Sequence, residues 1–228
     1  TAVFAFGRFN PPTIGHEKLI QKVQSMAKQV NGKGFVFLSH TGGTEKDPID
    51  FTTKLSYLRQ HFQSDKNLSF GDMRANTIIK VMKVLEQEGR TRVIMIAGDD
   101  RVMQFQKLLN QYNGQKTKAG NIEYTFDEIQ VVSAGQRDPD ADDITGVSAS
   151  KARELAMKGQ EHEFSKMVMG GDKGKVLYDK IQDRFGKEVD ENNKKLYNED
   201  MTDAKPIVYL DMDGVLADFF GGVEFLYG

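Results

Sequence analysis

Short apolar runs alternate along the chain with longer stretches whose apolar positions recur at helical spacing. Strand-like runs fall at residues 2–6, 34–39, 68–70, 92–97 and 129–133, and helical patterns at 15–30, 51–62, 75–88 and 99–112. Leu19, Ile20, Val23 and Met26 share one face of the first helical stretch, and Ile78, Ile79, Met82, Val84 and Leu85 do the same in the third. Each set predicts a helix laid against a sheet. Strand–helix alternation of this kind predicts an α/β fold on a parallel sheet.

Beyond residue 133 the pattern changes. Gly135–Asp143 reads as a polar, acidic loop, Val147-Ser148-Ala149-Ser150-Lys151-Ala152-Arg153 opens another helix, and further helices are expected at 161–167 and 175–184. Residues 187–205 are dominated by Lys, Glu, Asp and Asn, which predicts a linker or exposed arm. A last strand at 207–210 then runs into Asp211-Met212-Asp213-Gly214-Val215. The reading divides the chain into a main domain at 1–158, a helical extension and polar linker at 159–205, and the start of an unfinished domain at 206–228. Beginning with Thr rather than Met, the chain is expected to be processed or trimmed.

Composition narrows the function classes. With Lys+Arg 31 against Asp+Glu 33 the net charge is −2, so no global field recruits nucleic acid or an anionic membrane. The absence of cysteine excludes disulfides, a thiol nucleophile and thiolate metal sites. No targeting signature or long apolar run is read, so a cytoplasmic protein is expected (host cytoplasm or virion if phage-encoded).

Candidate chemistry concentrates where strands end. Gly7-Arg8-Phe9-Asn10-Pro11-Pro12-Thr13-Ile14-Gly15-His16 follows the first strand and opens a helix, whose N-terminus favours anions. Gly7 and Gly15 lack a Cβ and so permit close approach of backbone to phosphate. Ser148 and Ser150 at a helix start offer hydroxyls, and Arg153 one turn on can fork around phosphate oxygens. Gly98 and Asp99 follow the fourth strand, with the register against Asp100 open. Lys46, Lys54 and His40 follow the second strand and are further candidates. Taken singly these residues also read as helix caps, turns and solvated charges.

Together they resemble the signatures of the HxGH-type nucleotidyltransferase superfamily, which includes nicotinamide-mononucleotide and phosphopantetheine adenylyltransferases. The first signature, G-x-F-x-P-x-[HT]-x-G-H, is met at every fixed position, with Thr13 in place of the first His. Ser148–Arg153 is similar to the second, I-S-S-T-x-x-R, with Val147 for Ile and Ser150 for Thr. The resemblance implies a Rossmann-like doubly wound parallel sheet and transfer of a nucleotidyl group from a nucleoside triphosphate to a phosphomonoester, with release of pyrophosphate. It implies that His16 and Thr13 hold the reacting phosphate and that Ser150 and Arg153 hold the pyrophosphate end. Gly7, Arg8, Phe9, Gly15, Gly98, Asp99, Ser148, Lys46 and Lys54 would contact the nucleotide or its acceptor. ATP is favoured over CTP, because the cytidylyltransferase versions of both signatures are not met. Mg²⁺ is expected to bridge phosphate oxygens, chiefly through water and substrate. The Gly-Arg-Phe opening looks most like the nicotinamide-mononucleotide enzymes. This chain has no Trp, so Phe or Tyr would stack the acceptor ring. The segment 134–153 also looks like phage-encoded nucleotidyltransferases.

Tyr209–Asp218 resembles the first motif of HAD-type phosphatases, especially deoxyribonucleotidases, which implies that Asp211 and Asp213 would act at a Mg²⁺ site if the domain were completed. Alternatives are a non-catalytic assembly component, for example of a phage particle, and one part of a bifunctional transferase-phosphatase. The expected partners are a nucleoside triphosphate and a small phosphorylated acceptor, with no nucleic acid or membrane. A homo-oligomer or assembly partner is left open.

Overall fold

The computed structural model describes residues 1–135 and 148–185. Five strands, β1 (Ala2–Gly7), β2 (Lys33–Leu38), β3 (Leu68–Phe70), β4 (Arg92–Ala97) and β5 (Glu128–Ser133), form one sheet in the order β3-β2-β1-β4-β5. Every neighbouring pair is parallel. The helices are α1 (Ile14–Gln29), α2 (Phe51–His61), α3 (Ile78–Gln87), α4 (Val102–Tyr112), α5 (Ala149–Met157), α6 (Glu161–Met167) and α7 (Lys175–Phe185). The Asp211/Asp213 pair, the acidic 138–143 loop and the 207–210 strand lie outside the described residues.

Central strand β1 shows why the sheet is doubly wound. Its side chains alternate, Val3 and Ala5 facing one core and Ala2, Phe4 and Phe6 the other. On the first face pack Ile20 and Val23 of α1, Leu58 of α2, Ala152 of α5, Phe164 of α6 and Leu177 and Ile181 of α7. Ile78, Val81 and Leu85 of α3 cover the second face with Phe105 and Leu109 of α4. The expected Rossmann-like arrangement is therefore present, and helices from 161–185 share its core.

Two helix starts differ from the sequence expectation. Thr77 accepts from the Lys80 N–H and caps α3, so the helix begins at Ile78 rather than 75. Residues Asp99–Arg101 form a 3₁₀ turn before α4 begins at Val102. At the β5 edge, the Gln106 side chain behaves like one more peptide unit. Its Nε2 donates to the Ile129 carbonyl at 3.0 Å and its Oε1 accepts from the Val131 N–H at 2.8 Å. Among the described residues no helix is long and apolar enough to cross a membrane.

The C-terminal helices also brace the β1–α1 turn. Val168 bridges Thr13 in antiparallel fashion, and the Met169 N–H donates to the Pro12 carbonyl at 3.1 Å. From α2, the Tyr57 hydroxyl donates to the Met169 carbonyl. Burial, with Glu17 nearby, pushes the Tyr57 phenol up to about 12, so it remains a donor at neutral pH.

Candidate active site

After β1 the chain winds outward through β2 and β3, then returns across β1 to β4. The strand order therefore reverses between β1 and β4, and the carboxyl ends of these strands open a crevice there. A cleft of about 300 Å³ occupies that crevice. Gly7–Asn10, Ala97–Gly98 and Gly135 from the strand ends line it, with the first turns of α1 and α5. Arg8, Lys18, Arg101 and Arg153 also line it, against a single carboxylate, Asp100, among the described residues. In a chain of net charge −2 this is a local excess of positive charge, and two helix N-termini add to it.

The turn into α1 is built around His16. Thr13 is the N-cap in an extended conformation, and its hydroxyl lies 2.8 Å from His16 Nδ1. The Thr13 main-chain N–H donates to that same nitrogen at 3.0 Å. An N–H cannot accept, so Nδ1 carries the lone pair and the neutral ring holds its proton on Nε2. Beneath the imidazole lies Phe9, fully buried, the two ring centroids 4.7 Å apart. Phe9 adopts φ +50°, a conformation bulky residues rarely take, and it turns the ring under both Gly7 and His16. A Cβ on Gly7 would stand 3.2 Å from the Phe9 ring. Gly7 thus makes room for Phe9, and it also lines the cleft. Phe9 in turn supports His16. Thr13 is buried and engaged with His16, while Gly15 is exposed in the first turn of α1 and lines the cleft.

The second signature arrives from across the fold. Ser148 caps α5 by accepting from the Lys151 N–H at 3.1 Å. Arg153 donates through Nη1 to the Asn10 carbonyl and through Nη2 to Ser150 Oγ at 3.1 Å. Asn10 is itself held rigidly, its amide pairing both ways with the main chain of Ile49, at 2.8 and 3.1 Å. Asn10, Ser150 and Arg153 thereby meet at the cleft wall with Ile49 holding Asn10, and Thr13, His16, Ser148, Ser150 and Arg153 all line the cleft.

Other candidates fall elsewhere. Lys54 is completely buried and absent from the cleft lining, and its ammonium donates to three main-chain carbonyls. Lys46 is exposed on the loop before α2, and the His40 ring lies tilted against Phe51 with Nε2 3.3 Å from the Asp72 carbonyl. Neither lines the cleft. After β4, Gly98 and Asp100 line it and exposed Asp99, the first residue of the 3₁₀ turn, does not. Sequence reading missed Lys18 and Arg101. Lys18 was recoverable, since it sits one turn from Gly15 on the face opposite buried Val23, whereas Arg101 is placed by that short turn.

No protein-family model matches the sequence, and no curated protein sequence matches it. Among solved structures the chain is similar to Plasmodium falciparum nicotinic acid mononucleotide adenylyltransferase complexed with APC. That similarity has TM-score 0.51 and 13% identity, covering 79% of this chain and 93% of that one. A macrolide-efflux protein from Streptococcus pneumoniae gives TM-score 0.40 and 13% identity over 77% of this chain and 54% of that one, too loose to bear on the fold. At such identity the first likeness concerns architecture alone, and it agrees with the strand order and helix placement: the chain has a Rossmann-like fold, a parallel sheet with helices on both faces.

Proposed function

We propose that the protein is a nucleotidyltransferase that moves a nucleotidyl group, adenylyl from ATP, to a small phosphomonoester related to nicotinamide mononucleotide. The observation that carries this reading is the cation-lined cleft at the sheet's reversal point, where a tautomer-locked His16 and an anchored Arg153 come together. An oxygen of the acceptor phosphate attacks the α-phosphorus in line, the bond to the bridging oxygen breaks, and pyrophosphate leaves. With Nδ1 already accepting, His16 offers Nε2–H as a donor to the α-phosphate rather than serving as a base. Arg153, Ser150 and the α5 N-terminus receive the departing pyrophosphate, and Arg8, Lys18 and Arg101 add charge. The side chains supply position and electrostatics, with no nucleophile of the protein's own.

Among the described residues no group of three or more His, Asp or Glu could cage a metal ion. Mg²⁺ in this reading would come with the triphosphate and offset its charge.

The test is pyrophosphate release from each common nucleoside triphosphate with Mg²⁺, offered nicotinamide mononucleotide, nicotinate mononucleotide or phosphopantetheine, with His16→Ala alongside. Turnover of ATP with one acceptor, abolished in the variant, supports the reading and names the product. Silence across the panel overturns it in favour of a non-catalytic role for the fold.

A further inference from the structure

Lys54 is a charged group that the transfer chemistry does not use. It sits in α2, fully buried, and Nζ donates to the carbonyls of Arg8 at 2.8 Å, Ser39 at 3.2 Å and Thr41 at 2.9 Å. An ammonium has three N–H donors, and all three are used. The acceptors belong to two loops, one leaving β1 and the other leaving β2, which Asn10 and Ile49 join a second time. Arg8, whose carbonyl is held, also lines the cleft. Its Nη1 lies 3.9 Å from Asp47 Oδ1, a buried oxygen with no hydrogen-bond partner.

We propose that Lys54 is a positioning residue for the cleft, drawing the β1 and β2 loops together so that the Arg8 guanidinium stands between Asp47 and a bound phosphate. The proposal rests on the phosphate-binding part of the transferase reading. Its chemistry has a pH signature. Burial pushes Lys54 down from 10.5 to about 8, against the pull of Asp47 and Asp50 and with the push of Arg8. A neutral amine keeps only two donors, so deprotonation leaves one of the three carbonyls unpaired and removes a positive charge beside Arg8. The fold does not suffer for it. Between the folded and ordinary values the unfolded chain binds the extra proton, so this group's contribution to stability rises with pH through that window. Weakened binding above pH 8 is thus separable from unfolding.

The experiment is calorimetric titration with inorganic pyrophosphate between about pH 7 and about pH 9.5, on wild type, Lys54→Arg, Lys54→Met and the surface control Lys66→Met. Amide exchange at residues 8–10 and 39–43 is followed without ligand. Wild-type affinity is expected to fall about tenfold across the range with no fall in melting temperature from this group. Lys54→Arg, which stays charged, should lose that alkaline limb. Lys54→Met should bind weakly at every pH and exchange faster in both loops. If Lys54→Met does not fold, the wild-type and Lys54→Arg profiles decide. An alkaline limb that persists in Lys54→Arg, or affinity and exchange indifferent to residue 54, overturns the proposal and leaves the transferase reading standing. Pyrophosphate binding that follows this pattern without adenylyl transfer to any acceptor sinks the transferase reading alone. Wild type that ignores pyrophosphate at neutral pH sinks both.

Discussion

The main-chain N–H of Thr13 and Nδ1 of His16 form one 3.0 Å hydrogen bond that caps a helix and sets a tautomer in the same contact. A ring that must cap α1 through Nδ1 can present only Nε2–H to a ligand. Helix stability and site chemistry therefore share an atom.

Replacing His16 should separate the two. His16→Ala is expected to lower turnover about 10²–10³-fold, the range for removing one preorganised donor to developing charge. Its cost in stability is expected at about 1 kcal/mol, as for a lost cap. Steady-state pyrophosphate release and chemical denaturation measure each. A variant that unfolds more readily yet turns over normally would show that His16 only caps.

Arg153 uses two guanidinium nitrogens on two acceptors, the Asn10 carbonyl and Ser150 Oγ. A lysine keeps the charge but cannot hold both at fixed geometry. Arg153→Lys should weaken pyrophosphate binding roughly tenfold, about 1.4 kcal/mol, with little change in melting temperature. Calorimetry beside a thermal melt reads both quantities.

Asp50 carries an acid-side prediction. Partial burial pushes its carboxyl up, but the Thr53 hydroxyl at 2.6 Å and N–H at 2.9 Å outweigh that and hold it below its ordinary 3.8. A folded value below the unfolded one stabilises fully above the unfolded value and is lost as pH falls through the folded one. Wild type should accordingly lose part of its stability below about pH 4, and Asp50→Ala should lack that part while costing about 1 kcal/mol at neutral pH. Urea midpoints across the acid range would show the two curves converging.

The Gln106 amide occupies main-chain groups on the outer edge of β5 that another strand would otherwise seek. Gln106→Leu leaves a carbonyl and an N–H without their partners, for an expected loss of roughly 1–2 kcal/mol. Light scattering should also rise with protein concentration in the variant and stay flat in wild type.

The sheet was legible because its strands are short apolar runs set between helical periods, and the observed strands lie within a residue or so of the expected ones. Helix starts were less so. Thr77 caps α3, past the expected start at 75, and nothing in the apolar spacing distinguishes a capped start from a preceding turn. The signature turns identified the residues now found around one cleft. Their supports were hidden: Lys54 reaches Arg8 across 46 positions and Asn10 reaches Ile49 across 39, separations that periodicity does not encode. Lys54 read as a candidate nucleotide contact, or taken singly as a solvated charge, because only tertiary packing supplies the three carbonyls that satisfy it in the interior.

The bridge between Thr13 and Val168, with Met169 bonded to Pro12, sets how short this protein can be made. Cutting after the fifth helix would spare the whole sheet and both signature turns. It would also strip the Pro12 carbonyl of its donor and uncover the core face now filled by Phe164, Leu177 and Ile181. A shortened chain that keeps the bracing of the β1–α1 turn must therefore retain the helix that closes at Phe185, well past the last motif a reader of the sequence would keep.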